Sequence, residues 1–273
     1  MKIYRKQKRG EGKSTLLSSI ALNSIEQNET VCAYSGELSA KNYLNWVMLQ
    51  GTERKYLEVR QDFRTGRNYA VVPYEIQKRI RQFISGKFFL FDNNSIGENE
   101  TEEEAVFRVF NACARRYGAK LFLVDNMMSM VAGTEEELKA QTRVALRLKK
   151  FAVKYNAHVM LVSHQRKSRA GETVTNDSVS GSANITNAAD FVFNLLKPSI
   201  SVMKNRANGE LGYIECCYDP ANRRIFQADT GDNIVYNWDH TGIDYLETNQ
   251  VDQYPEFNIR VQEHDSPVSS VPF

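Results

Sequence analysis

Short apolar runs alternate with helical patterns along most of this chain. "VCAY" at 31–34, "FFLFD" ending at Asp92, "LFLVD" ending at Asp125, "VMLVS" at 159–163 and "FVFNLL" at 191–196 are nearly continuous apolar runs, as strands buried on both faces require. Between them lie segments with helical spacing. "KSTLLSSIALNSI" places Leu16, Leu17, Ile20 and Ala21 on one helical face, and "LSAKNYLNWVMLQ" predicts a helix stopped by Gly51. "PYEIQKRIRQFISG" predicts a helix that starts at Pro73 and stops at Gly86. "NETEEEAVFRVFNACARRYG" carries acids at its head and Arg115 and Arg116 at its tail, the order the helix dipole favours. "EEELKAQTRVALRLKKFAVKYN" predicts one more helix before the strand at 159.

This alternation predicts an α/β fold, a mainly parallel sheet flanked by helices on both faces. After residue 196 the pattern changes. "ISVMKNRANGELGYIECCY" reads as two strands around an Asn-Gly turn, an antiparallel C-terminal hairpin at the edge of the sheet. One core domain is expected over residues 1–238, followed by an acidic tail over 239–273 that is polar and contains proline.

Composition sharpens this picture in two places. The 273 residues are 42% apolar and carry a net charge of +2, which is compatible with one sizeable core. The balance conceals an asymmetry, because the tail holds seven acids and one base. Removing them from 33 acids and 35 bases leaves 26 acids and 34 bases, a body of net +8 suited to a polyanionic partner or simply a solvated basic surface. Cys32, Cys113, Cys216 and Cys217 form no C-x-x-C pair and no metal-ligand spacing, so a reduced, cytoplasmic protein is expected. No apolar run approaches a membrane span, and "MKIYRKQKRG" has no signal core, so no membrane association is expected.

The stretch "KRGEGKST" at 8–15 carries the first candidate chemistry. The full phosphate-loop pattern G-x-x-x-x-G-K-[ST] asks for glycine at position 7, where this chain has Gln7. Residues Gly10, Glu11, Gly12, Lys13, Ser14 and Thr15 can still cradle a nucleotide. Backbone amides point at the phosphates, Lys13 adds charge, and the Ser14 hydroxyl holds Mg²⁺. Asp125, closing an apolar strand, stands where a second Mg²⁺-organising group belongs, although strands also end in aspartate as a turn residue, the reading given to Asp92. In "AYSGELS", Glu37 lies just past a strand end, where a carboxylate can polarise water or simply start a helix.

Taken in order, "KRGEGKST", "AYSGELS", "LFLVDNMMSM", "VMLVSHQRKS", "VSGSANITNAADFVFNL" and "KNRANG" resemble the RecA-like motor domain of hexameric replicative DNA helicases. This is the DnaB-like group with its bacteriophage and mitochondrial relatives, and the resemblance spans about residues 8–228. It implies a RecA-like P-loop core, ATP and Mg²⁺ as cofactors, a homo-oligomeric ring of six, and 5′-to-3′ movement on single-stranded DNA. A primase, a helicase loader or a polymerase would be its partners. Carried over, Lys13 and Ser14 bind phosphate and metal, Glu37 is the catalytic base and Asp125 positions the metal. His164 falls at the family's γ-phosphate sensor, and Arg206 with Lys204 match the arginine finger and its companion lysine, which act in trans on the neighbouring subunit.

The resemblance further makes 165–181 a central-channel loop, with Arg166, Lys167 and Arg169 on DNA phosphates. "NMMSMVAGT" at 126–134 is a second channel loop by the same token, or core filling by its methionines. Plainer readings stand beside these: His164 as a polar strand cap, Arg206 as a surface charge, 165–181 as an ordinary loop. Lys204 and Arg206 are two residues apart and so share a strand face. The acidic tail ending in Phe273 resembles tails by which some phage helicases engage replication partners.

The chain departs from the family where "MKIYRKQ" alone represents the strand entering the phosphate loop, and where no primase or linker-helix segment precedes it. A truncated or alternatively started motor domain is the resulting expectation. Two other functions share these motifs: a RecA-type recombinase or repair ATPase, and a non-hydrolysing ATP-binding assembly module.

Overall fold

The computed structural model describes residues 2–5, 12–132, 136–163, 183–196 and 199–239. Its centre is six parallel strands. In spatial order they are β8 (Phe191–Leu196), β1 (Lys2–Arg5), β7 (His158–Val162), β6 (Leu121–Asp125), β2 (Val31–Ser35) and β5 (Phe88–Leu90). The segment "MKIYRKQ" thus supplies a central strand, with Ile3 level with Leu161 on one side and Val192 on the other. Beyond β8 the sheet turns antiparallel through β9 (Ser199–Asn205), β10 (Gly212–Asp219) and β11 (Arg224–Gln227).

The β9–β10 hairpin forms as its Asn-Gly turn predicts, but it is not the edge of the sheet. β11 lies outside it. Its first residue, Arg224, is only 3% exposed, with Nε donating to the Gln50 carbonyl and Nη1 to Asp232 and the Ile234 carbonyl. A strand that opens on a buried, hydrogen-bonded arginine has no apolar signature in the sequence.

Helices cover both faces, and the period-two alternation of the strands divides the core accordingly. Val31 and Ala33 of β2 face α1 (Lys13–Glu26), α2 (Ala40–Gly51) and α3 (Tyr74–Ile84). Cys32 and Tyr34 face α4 (Glu102–Tyr117), α5 (Met127–Met130), α6 (Glu137–Tyr155) and α7 (Ala183–Ala188). On that second face Phe122 packs 5.0 Å from Phe110 and 4.8 Å from Phe151, centroid to centroid. Truncating Phe122 to Ala would cost about 3–5 kcal/mol.

Helix ends follow local chemistry. The Thr101 hydroxyl accepts from the Glu104 amide while the Glu104 carboxylate accepts from the Thr101 amide, and Gly118 ends α4 at φ 64°. Asp92 caps a short 3-10 turn over 93–95, the turn role read from the sequence. Gly51 is the last residue of α2, as expected, with Thr52 as the cap. A Cβ on it would meet Ile80 Cδ1 at an ordinary contact distance of 3.4 Å, and its carbonyl accepts from Trp238 Nε1 at 2.8 Å. Between α2 and α3 lies a two-stranded sheet, β3 (Glu58–Gln61) and β4 (Asn68–Val71), which the apolar pattern does not announce because its strands are short and mostly exposed.

Candidate nucleotide site

α1 starts on Gly12, whose φ of 85° lies in the left-handed region that glycine enters without cost. No side chain caps this end and no acid sits in the first turn, so the helix presents its amides and positive dipole end to an anion. Lys13 is 7% exposed, close against the body of the domain. Ser14 Oγ donates to Asp125 Oδ2, joining the start of α1 to the end of β6. The Thr15 carbonyl accepts from Gln50 Nε2 at 2.9 Å, and that amide also donates to the Arg223 carbonyl at 2.8 Å. Gln50 therefore ties the start of α1 to the turn before β11.

The second carboxylate arrives from the neighbouring strand. Ser35 lies level with Asp125, and the Gly36 amide donates to the Asp125 carbonyl at 2.8 Å. That turn carries Glu37 out beyond the sheet, where Asn126 Nδ2 donates to Glu37 Oε1 at 2.6 Å. The Asn126 oxygen is already engaged by the amides of Met128 at 2.8 Å and Ser129 at 3.3 Å, which fixes which end of the amide faces Glu37. Gly36 has no room for a side chain, since a Cβ would fall 2.1 Å from Ser129 Oγ. Burial pushes the Tyr34 and Tyr43 phenols up, and the Asp125 charge adds to both, so neither ionises beside it in the physiological range. In Tyr34 the hydroxyl also donates to Glu102 at 2.7 Å.

This geometry fits a nucleotide with its metal. Ser14 and Asp125 are adjacent hard oxygen donors. Among the described residues no group of three His, Cys, Asp or Glu side chains could hold a metal by itself, so an ion here would share its coordination with phosphate oxygens, as Mg²⁺ does. The AAA domain family matches residues 8–170, more than half of the chain. The chain belongs to the AAA domain family. It is a P-loop NTPase domain with a RecA-like core.

No curated protein matches this AAA domain in sequence. Solved structures share its fold at low identity. One solved ATPase domain matches at a TM-score of 0.65 and 14% identity, over 83% of this chain and 84% of that one. A DnaB-like replicative helicase, studied with its primase interactions, matches at 0.64 and 14% over 82% of this chain, which spans 58% of the helicase. A KaiC-like protein from Pyrococcus horikoshii OT3 matches at 0.55 and 14%, over 82% and 89%. Among the described residues, no helix is long and apolar enough to cross a membrane.

The AAA domain places its other candidate residues unevenly. Lys204 Nζ donates to the Thr186 carbonyl at 2.7 Å, and Arg206 Nη2 to the Asn187 carbonyl at 2.7 Å, so the two cations meet the end of α7 together. Arg206 also lies 3.5 Å from Asp190, whose other oxygen accepts from Lys149. Burial pushes the Lys204 ammonium down, and the Arg206 charge adds to the shift. β9 stands four strand positions from β6, on the order of 19 Å at ordinary strand spacing, so these cations and Asp125 of one chain serve different neighbourhoods. Met127 and Met130 are buried in the core, the filling role of the two readings. Gly10, Glu11, His164, Arg166, Lys167, Arg169 and residues 240–273 lie outside the described residues.

Asn126 and Gly36 are the site residues that sequence reasoning missed. Each sits beside a residue that was singled out, Gly36 before Glu37 and Asn126 after Asp125. A small residue before a candidate base and an amide after a candidate metal ligand are the signals that could have found them.

Proposed function

We propose that this AAA domain is an ATP-driven motor that translocates on single-stranded DNA, of the replicative-helicase type. The observation that carries the reading is the Ser14–Asp125 hydrogen bond with Glu37 held beside it by Asn126. A phosphate-loop hydroxyl, a strand-end aspartate and a separate, positioned carboxylate are what hydrolysis of a phosphoanhydride needs. The order of helicase-like motifs and the net +8 body supply the DNA half of the proposal.

When bound, Mg²⁺-ATP supplies the phosphoanhydride and the metal charge. The α1 amides and Lys13 hold the phosphates, and Ser14 with Asp125 holds the metal. Glu37 takes a proton from the attacking water, a role open to an exposed carboxylate whose orientation Asn126 fixes. His164 senses the terminal phosphate. Arg206 and Lys204 of one copy serve the site of the next in a ring of six, as their distance from Asp125 within one chain favours. Arg166, Lys167 and Arg169 track the DNA backbone, and a primase, loader or polymerase engages the ring.

Strand displacement tests this reading. With ATP and Mg²⁺, the protein should release the labelled strand of a forked duplex bearing a 5′ single-stranded arm. Continuous filaments on single-stranded DNA without strand release would assign it to the recombinases instead.

A further inference from the structure

The hairpin β3–β4 forms a separate two-stranded sheet between α2 and α3 and has no part in the chemistry above. Its roots are fixed. Tyr56 and Leu57 before it pack on the core, Val72 after it is 5% exposed, and Gln77 Nε2 holds the Val72 carbonyl at 2.8 Å. Its tip is fixed as well. Asp62 Oδ1 accepts from the amides of Arg64 at 2.8 Å and Thr65 at 3.1 Å, the Gly66 amide donates to the Asp62 carbonyl at 2.7 Å, and Gly66 takes a φ of 66°.

On this fixed tip Phe63 is 94% exposed, the most exposed large apolar side chain among the described residues. Arg64 follows it directly, and the Arg67 carbonyl closes the turn by accepting from the Asp62 amide at 2.9 Å; both arginines are exposed and without an ion pair among the described residues. The one acid between them and β3, Asp62, spends its carboxylate on the turn amides. Arg60 and Tyr69 stand opposite each other across the strands, and Tyr69 is 49% exposed. A protein-docking patch would surround such a ring with further apolar surface. Here the neighbours are guanidinium groups, the company a stacked base and its two phosphates require.

We infer that this hairpin is a second contact for single-stranded nucleic acid, in which Phe63 stacks on a base while Arg64 and Arg67 hold the adjoining phosphates. The inference rests on the DNA-motor reading and extends it to a surface outside the loop at 165–181. A tip that is already rigid loses little conformational freedom on binding, so one ring and two cations suffice for a measurable share of affinity.

The test is fluorescence anisotropy of labelled oligo-dT, titrated with the whole chain over a series of salt concentrations. Phe63→Ala should weaken binding at least about fivefold, the lower bound for one base–aromatic stack. Arg64→Ala with Arg67→Ala should lower the log–log salt slope by about 1.4, which is about 0.7 for each lost phosphate. Phe63→Trp should keep wild-type affinity and show oligo-dT quenching beyond that of Trp46 and Trp238. Wild-type affinity and slope in both alanine variants would overturn the inference, as would a loss of affinity accompanied by a change in oligomeric state, which would make the hairpin a contact between copies. DNA binding that depends on Phe63 without any DNA effect on ATP turnover would keep the hairpin contact and remove the motor reading.

Discussion

Asn126 donates one hydrogen of its side-chain amide to Glu37 across 2.6 Å, while its oxygen is held by the amides of Met128 and Ser129. The residue after Asp125 thereby orients a carboxylate that lies just past the neighbouring strand. Glu37→Gln should therefore lower turnover by about 100-fold or more with nucleotide affinity retained, because the base is lost and the phosphate contacts remain. Asn126→Ala should lower kcat by up to about 100-fold with KM nearly unchanged, since the carboxylate survives but is no longer aimed. Asn126→Asp replaces the donor with a like charge beside Glu37 and should lower kcat at least as far as Asn126→Ala. Steady-state kinetics read all three.

Gly36 is the pivot of the same turn. A Cβ there would lie 2.2 Å from Ser129 Cβ and 2.7 Å from the Tyr34 hydroxyl, so Gly36→Ala should destabilise the domain by about 1–3 kcal/mol. Ser129→Gly in the same chain should restore part of the loss. Chemical denaturation of the single and double variants measures it.

Much of this architecture was legible in the apolar pattern, because strands buried on both faces write themselves as continuous runs. "LFLVD" and "VCAY" could be placed in the core on sight. β3, β4 and β11 could not. The first two are exposed four-residue strands, and the third opens on Arg224, whose burial is made tolerable by carbonyls and Asp232 distant in sequence. The same limit applied at the site. Lys13, Ser14 and Asp125 were nameable as candidates by motif and position, whereas the contact of Asn126 with Glu37 depends on a cross-strand neighbour that no local pattern encodes. Gly51 was legible as a stop, since α2 ends on it, whereas the bond from Trp238 Nε1 to its carbonyl comes from far along the chain and was not.

The pairing of Lys204 and Arg206 on the end of α7 leads to a prediction about sharing between copies. Arg206→Ala should abolish DNA-stimulated hydrolysis and leave nucleotide binding nearly intact, because a trans arginine acts on charge developing in the transition state. Mixing Arg206→Ala with Lys13→Ala chains should recover activity, since some interfaces then combine an intact phosphate loop with an intact arginine. Demonstrably mixed assemblies that stay inactive would contradict it.

The capping box of α4 gives a pH-dependent expectation. The Thr101 amide and hydroxyl hold the Glu104 carboxyl below its ordinary value, so its contribution is present above the unfolded pKa and is lost as pH falls through the lower folded one. Glu104→Gln should be less stable than wild type at neutral pH, and the gap should close on acidification. Thr101→Ala should cost about 1 kcal/mol at neutral pH. Thermal melts at two pH values check both.

The central claim is that this nucleotide site hydrolyses ATP and that single-stranded DNA governs the rate. The direct measurement is phosphate release by the whole chain with Mg²⁺-ATP, with and without single-stranded DNA, alongside Lys13→Ala and Glu37→Gln. Release should rise when DNA is added and vanish in both variants, with nucleotide binding lost in Lys13→Ala and kept in Glu37→Gln. Nucleotide binding without phosphate release under either condition, or turnover indifferent to DNA, would contradict the account.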